Sequence, residues 1–316
     1  MSSVLENQLN HLCDEQPFHT GWFVRNLQTR SSLQRHGDVV VPSASTRKIA
    51  IMMAALKAVS EDRLALDQPV TMSAAYQDND SGCFQHLQPD FTIQLRDALV
   101  MMIIVSDNTC TGVVADLVGL ESINTLCQSI GMTGTVHRYG IPPVGMAGYL
   151  SSDETNATTP ADVALLLDLI LSGTDDASAA AELGCTPELC RLAIDILSWQ
   201  RLRNRIPARL PLGTRVANKT GTTAKNYNDA GIVYYEGAPL FIISAYTDGV
   251  EAELPNGEPG HTVAYDLTAR LARLCFDAFL AESGPDLDAD NEKRERSVNH
   301  EYRDQAGGMP VWTGHL

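Results

Sequence analysis

Apolar and polar positions alternate in different rhythms along this chain, and the changes of rhythm mark its elements. Residues 20–28, "TGWFVRNLQ", and the short run 38–41, "DVVV", have the β-branched and aromatic content of strands, with a polar turn between them. Residues 45–59 then predict a helix that is apolar on nearly every face: Ile49, Ile51, Met52, Met53, Ala55, Leu56 and Val59. Such a helix belongs in a core rather than on a surface. From 60 to 172 helical runs alternate with polar loops, most clearly "TIQLRDALVMMIIVS" at 92–106 and "ADVALLLDLILSG" at 161–173. Thr159 and Pro160 supply a cap and a first-turn proline to the second of these.

Residues 174–187, rich in Asp, Ala and Ser, read as a surface loop or short insertion, followed by a helix over about 188–204. Two apolar runs, "AGIVYY" at 230–235 and "LFIISAYT" at 240–247, flank "EGAP" and predict a hairpin. A long amphipathic helix covers about 262–281. Strands at both chain ends with helices between them predict an α+β fold, one antiparallel sheet assembled from the two ends around a mostly helical insertion. The expected boundaries are an N-terminal helix or lead-in at 1–19 and a domain at 20–282. Within that domain the sheet part covers about 20–43 and 205–282, and the helical part about 44–204. A charged, flexible tail is expected at 283–316.

The composition of an ordinary globular protein, 44% hydrophobic and 20% charged, changes little in this picture. The charge does change it. With 23 basic against 39 acidic residues the formal charge is −16, which disfavours nucleic acid and anionic membranes as partners. The seven cysteines, Cys13, Cys83, Cys110, Cys127, Cys185, Cys190 and Cys275, are odd in number and scattered, with no Cys-x-x-Cys. With no basic and apolar leader in "MSSVLENQLNHLCDEQPFHT", they lead us to expect a reducing, cytoplasmic setting without a disulfide framework. No His pair stands at helical spacing with a carboxylate, so neither a metal nor an organic cofactor is expected.

Candidate chemistry gathers in three short motifs. "VPSASTRKIA", 41–50, puts Ser45 three positions before Lys48 at a predicted helix start. Alone, Ser45 could equally cap that helix. "SDN", Ser106-Asp107-Asn108, follows an apolar helix and could be a helix-ending turn. "NKTGTT", 218–223, precedes the hairpin, where Lys219-Thr220-Gly221 could be a solvated strand end. A serine and a lysine at i and i+3 share a helix face, at the positive end of the helix dipole. A partly desolvated lysine beside another cation can accept the serine proton.

Ser-x-x-Lys, Ser-Asp-Asn and Lys-Thr-Gly in this order resemble the penicillin-recognising serine hydrolases, in particular class A β-lactamases. The likeness runs over about 20–282 and includes "LPLGTRVANKTG" and the "TTP" at 158–160. It implies a β-lactamase/transpeptidase-like fold and acylation of Ser45, with Lys48 accepting its proton. It also implies that Ser106 passes a proton to the leaving nitrogen and that Asn108 holds the substrate amide. Lys219 would add positive charge beside Ser106 and help anchor a substrate carboxylate, with Thr220 and Thr222 hydrogen-bonding it. Gly221 would permit close approach. The backbone N–H groups of Ser45 and Thr222 would form the oxyanion hole, whose donors are each worth about 3–4 kcal/mol in the transition state.

Two departures stand out. The family's deacylating glutamate follows an arginine and an aromatic residue; in "VHRYGIPPV", 136–144, Arg138 and Tyr139 fit but Gly140 takes the glutamate's place and Val144 that of a water-holding asparagine. An acyl-enzyme is then expected to form and persist unless His137, Asp153, Glu154 or Lys48 substitutes as base. As a loop residue, His137 reads more simply as surface. In "NDAGIVY", Ala230 stands where the family often has a carboxylate-binding arginine, with Lys225 the nearest replacement. The leading expectation is a cytoplasmic serine hydrolase cleaving a small-molecule amide or ester, a β-lactam among the candidates. The alternatives are a working β-lactamase with a substitute base, a D,D-peptidase or acyltransferase, and a non-catalytic ligand-binding homologue.

Overall fold

The apolar hairpin near the C-terminus becomes the middle of a sheet only because the N-terminal strand joins it. The computed structural model describes residues 2–77, 81–142 and 151–282. Its first elements are α1 (Ser2–Asp14), β1 (His19–Asn26), β2 (Ser32–Arg35) and β3 (Val41–Pro42). A 3₁₀ turn, Ala44–Arg47, leads into α2 (Lys48–Ser60). Then come β4 (Pro69–Met72), β5 (Phe91–Gln94), α3 (Leu95–Ile104), α4 (Asn108–Val118) and α5 (Leu120–Ser129). The second half contains β6 (Ala157–Thr158), α6 (Pro160–Ser172), α7 (Ala177–Glu182), α8 (Pro187–Ser198), β7 (Val216–Thr222), β8 (Tyr227–Tyr235), β9 (Ala238–Asp248) and α9 (Gly260–Glu282). Met1–Phe276 form one compact unit; the described part of the second, 277–282, is the end of α9.

The main sheet has five antiparallel strands in the order β2-β1-β9-β8-β7. This is the α+β arrangement expected, with Val24 opposite Ile243 joining the two chain ends. The hairpin turn is tighter than "EGAP" suggests. Only Glu236 and Gly237 separate β8 from β9, both at positive φ (50° and 82°), the two-residue turn whose twist suits adjoining strands.

Other elements also depart from the sequence pattern. The polar stretch expected as a turn contains β2, paired with β1 from Trp22–Arg35 to Arg25–Ser32; its alternately exposed side chains leave no apolar signature. "DVVV" contributes only Val41 to a strand, β3, which pairs with β6; Val39 and Val40 are exposed. The run 92–106 divides into the end of β5 and α3, and the 174–187 segment holds the short helix α7. The helix expected over 188–204 stops at Ser198. The expected tail, 283–316, lies outside the described residues.

Helix α2 forms the centre of the helical part. Ile49, Ile51, Met52, Met53 and Leu56 are fully buried and pack with residues of α3, α4, α5 and α8. Helix α6 lies against β1 and β9 and is pinned by Asp168, whose carboxylate accepts from Arg25 (2.6 Å) and, with both oxygens, from Arg30 (3.0 and 2.7 Å). Asp168→Ala is expected to destabilise the fold by about 1–3 kcal/mol, because it strips a buried acceptor from two guanidiniums; urea unfolding measures the loss.

Candidate active site

Ser45 sits on the 3₁₀ turn Ala44–Arg47 rather than on the first turn of an α-helix as the sequence suggested. A 3₁₀ turn eclipses residues three apart, so Ser45 and Lys48 still share a side. Several ties hold the turn. Ser43 donates its N–H and its hydroxyl to the Asn156 carbonyl, both at 2.9 Å. Thr46 Oγ1 donates to Ser43 O (2.6 Å) and lies 2.8 Å from the Tyr246 hydroxyl of β9. Asn228 Nδ2 of β8 donates to Pro42 O at 3.0 Å. These ties surround Ala44, whose φ of 47° costs a residue with a Cβ about 1–2 kcal/mol. The half-buried Ser45 hydroxyl has no hydrogen-bond partner among the described residues.

Lys48, 1% exposed, points its ammonium into the turn between α3 and α4. Its Nζ donates to Ser106 O (2.7 Å), Ser106 Oγ (3.1 Å) and Asn108 Oδ1 (2.7 Å), all neutral acceptors. Burial, the nearby Lys219 ammonium and the Arg47 guanidinium push its pKa well below the usual lysine value, opposed by the Asp107 carboxylate. A lysine so placed gives up its proton more readily than a free one, which is the direction a proton acceptor needs.

Asp107 shapes the turn that receives it. One carboxylate oxygen caps α4 through Cys110 N (3.0 Å); the other accepts from Cys83 N (2.9 Å) and Phe84 N (2.8 Å). Together with Asn108 N donating to Ser81 O (3.0 Å), this holds Ser106 at a φ of 58°. Ser106-Asp107-Asn108 is thus a connection between two helices, and its middle residue has a structural task.

Strand β7 forms an edge of the sheet and carries the third motif. Its approach to the nucleophile turn depends on Gly221, where an added Cβ would lie 3.0 Å from Ala44 Cβ and 3.1 Å from the backbone nitrogens of Ser45 and Thr46. That brings the Gly221-Thr222 backbone beside Ser45, the neighbourhood an oxyanion hole requires. Lys219 is fully buried and donates to Thr220 O (2.8 Å). Burial brings its pKa down to about 7, with the Arg205 cation pushing the same way and the Asp229 carboxylate opposing. Asp229, buried opposite Thr220, accepts from Asn218 Nδ2 (2.9 and 3.1 Å) and Ile206 N (3.1 Å).

Sequence reasoning missed Arg205. Ala230 does leave its place beside Lys219 without a cation, but Lys225 does not fill it: Lys225 Nζ pairs with Glu251 at 2.7 Å. The guanidinium of Arg205 instead crosses from the segment after α8, where it donates to Gly221 O (2.8 Å), Asn228 O and Thr222 Oγ1 (2.6 Å). Its signal was "RLRNRIPARL", dense in arginine, but the helix pattern assigned to 188–204 hid the chain reversal.

Among the described residues, the loop after α5 supplies no ready base. Gly140 O accepts from Arg47 Nη2 (2.7 Å), and a Cβ at Gly140 would point at Ala115 Cβ, 3.2 Å away on α4. His137 is not the surface residue expected. It is 2% exposed, its Nε2 lies 3.5 Å from Arg47 O, and burial, with the Arg47 cation adding to it, lowers its pKa to about 3. Glu154 is exposed and bonded to Ser151, which lowers its pKa, and Asp153 is exposed too. Val144 lies outside the described residues.

Comparisons with known proteins bear on the family and the fold. The family model described as the β-lactamase enzyme family matches residues 4–279. A protein of Bacteroides uniformis named β-lactamase is 25% identical over 296 residues, covering 87% of this chain and 91% of the relative. Among solved structures, PBP-A is 28% identical with a TM-score of 0.74, covering 88% of this chain and 97% of the other. A point mutant of PBP-A, solved as an acyl-enzyme complex with penicillin G, is 27% identical at the same TM-score, with the same coverage. The β-lactamase of Sphaerobacter thermophilus, 24% identical over 88% of this chain and 98% of its own, shares the fold at a TM-score of 0.74. The chain therefore belongs to the β-lactamase enzyme family and is a serine hydrolase of the β-lactamase type.

Proposed function

We propose that this hydrolase takes carboxylate-bearing β-lactams or chemically similar amides, is acylated on Ser45, and releases the acyl group slowly. The observation that carries this reading is the buried Lys48 ammonium, shared between Ser106 and Asn108 within three residues of Ser45. Once Lys48 has lost a proton it accepts that of Ser45; the attacking oxygen bonds to the acyl carbon. Ser106, 3.1 Å from Lys48 Nζ, returns a proton to the leaving nitrogen as the amide C–N bond breaks. The Ser45 and Thr222 N–H groups receive the oxyanion. Lys219, Thr220, Thr222 and Arg205 form the carboxylate-binding end, and Asn108 holds the substrate amide.

Slow release follows from the surroundings of the acyl group. Gly140 has no acid, His137 is neutral and buried, and Glu154 and Asp153 face solvent. The acyl-enzyme of the PBP-A mutant with penicillin G supports a related chemistry here. A rapid β-lactamase needs a base that none of these groups supplies, which favours persistence.

Intact-mass spectrometry after mixing with penicillin G is expected to show a stable single adduct on the wild type and none on Ser45→Ala. Complete turnover without an adduct would contradict slow release. Gly140→Glu alone is expected to leave the adduct lifetime within about threefold of wild type, because a side chain at 140 starts towards Ala115.

The acylation rate with an anionic substrate should fall above about pH 7 as Lys219 loses its charge, against the gain from the deprotonation of Lys48, whose own pKa is well depressed. The sign follows from both lysines being depressed: each is charged below its pKa, which inactivates Lys48 as a base and enables Lys219 as an anion partner. Lys219→Arg should remove the falling limb, since guanidinium stays protonated.

A further inference from the structure

Arg205 is a buried cation held almost entirely by neutral groups. It is 2% exposed and has no carboxylate within ion-pair distance among the described residues. Its Nη atoms are used by Gly221 O, Asn228 O and Thr222 Oγ1, and its Nε has no partner among the described residues. Its backbone, at φ −129° and ψ −111°, lies outside the helical and extended regions. Two features hold it there. Ile206 N, the next peptide, is fixed to Asp229 Oδ2 at 3.1 Å. On the other side the guanidinium carbon lies 4.4 Å from the centre of the Tyr265 ring on α9.

That ring is itself held in orientation. Tyr227 meets it edge-on with centroids 5.5 Å apart, and His261, one turn earlier on α9, lies at 5.7 Å. An aromatic face under a desolvated guanidinium attracts it without neutralising it, whereas a carboxylate there would compete with an incoming anion. Resting on the reading that Arg205 serves the carboxylate end of the site, we propose that Tyr265 is a positioning residue that sets the preference for anionic over neutral substrates. The ring keeps the guanidinium against Thr222 and leaves its charge for the ligand. Tyr265 does not touch the reacting atoms, so its loss acts on substrate choice rather than on acyl transfer itself.

The test compares second-order acylation by penicillin G and by its neutral methyl ester, measured by mass spectrometry on the full chain. Tyr265→Leu is expected to lower the acid-to-ester rate ratio about tenfold, through slower reaction of the acid alone. Tyr265→Phe, which keeps the ring, is expected to retain the wild-type ratio, and thermal midpoints check that both variants are folded. Equal slowing of acid and ester by Tyr265→Leu, or loss of the ratio in Tyr265→Phe, overturns the proposal. Arg205→Ala separates it from the reading beneath. An unchanged ratio in Arg205→Ala removes the carboxylate role of Arg205, and with it the proposal. A reduced ratio there with a normal one in Tyr265→Leu removes only the role of Tyr265. If neither compound acylates the wild type, the acyl-enzyme reading itself fails.

Discussion

A lysine ammonium buried with no carboxylate partner among the described residues is the constraint around which this molecule is organised. Taking such a charge out of water is costly, and Lys48 recovers part of the cost only through neutral oxygens set at hydrogen-bond distance. Those oxygens must be fixed in advance. The turn carrying Ser106 and Asn108 is therefore built from a strained φ at Ser106 and three backbone N–H groups gathered by Asp107. The apolar packing of α2 keeps the lysine at the end of a rigid rod, and the same apolar surroundings depress its pKa. Stability is given up locally to keep a depressed lysine in the turn that follows Ser45.

The opposite wall follows a different rule. An edge strand has backbone groups to offer, but it must approach the nucleophile turn closely to use them. Gly221 permits that approach, since any Cβ would press on Ala44 and on the Ser45 and Thr46 nitrogens. Positive charge then collects in Lys219 and Arg205, with the buried carboxylate of Asp229 tied into the same network. Burial raises the Asp229 pKa to about 6, while bonds from Asn218 and Ile206 N and the two cations favour its charged form. The wall is electropositive within a chain whose net charge is −16, so its attraction for an anion is local and owes nothing to the overall balance.

The third side is notable for what Arg47 does. It stands between Ser45 and Lys48 in sequence, buried, its pKa brought down to about 10 by desolvation, and it donates to the carbonyls of Tyr139 and Gly140. The loop is thus fastened to the Ser45 turn by a cation. A cation there disfavours protonation of His137 and strengthens the depression of Lys48. One residue therefore holds the loop, adds to the depression of Lys48 and keeps His137 neutral.

How much of this was legible in the chain depended on whether the signal was local. The apolar run of α2, the Thr159-Pro160 start of α6 and the hairpin pair β8–β9 were readable because hydrophobic period, caps and strand composition are local properties. The three short motifs were readable for the same reason, as was the loss of an acid at Gly140. Strand β2 was not, because its side chains are alternately exposed and carry no apolar pattern. Neither was the burial of His137, the pairing of Lys225 with Glu251, or the arrival of Arg205 at Thr222. By itself the sequence determined the locally patterned elements, the motif set and what chemistry the residues could attempt. Only the tertiary structure decided which cation reaches Thr222 and which histidine is buried neutral, because burial and charge–charge distance arise between segments far apart along the chain.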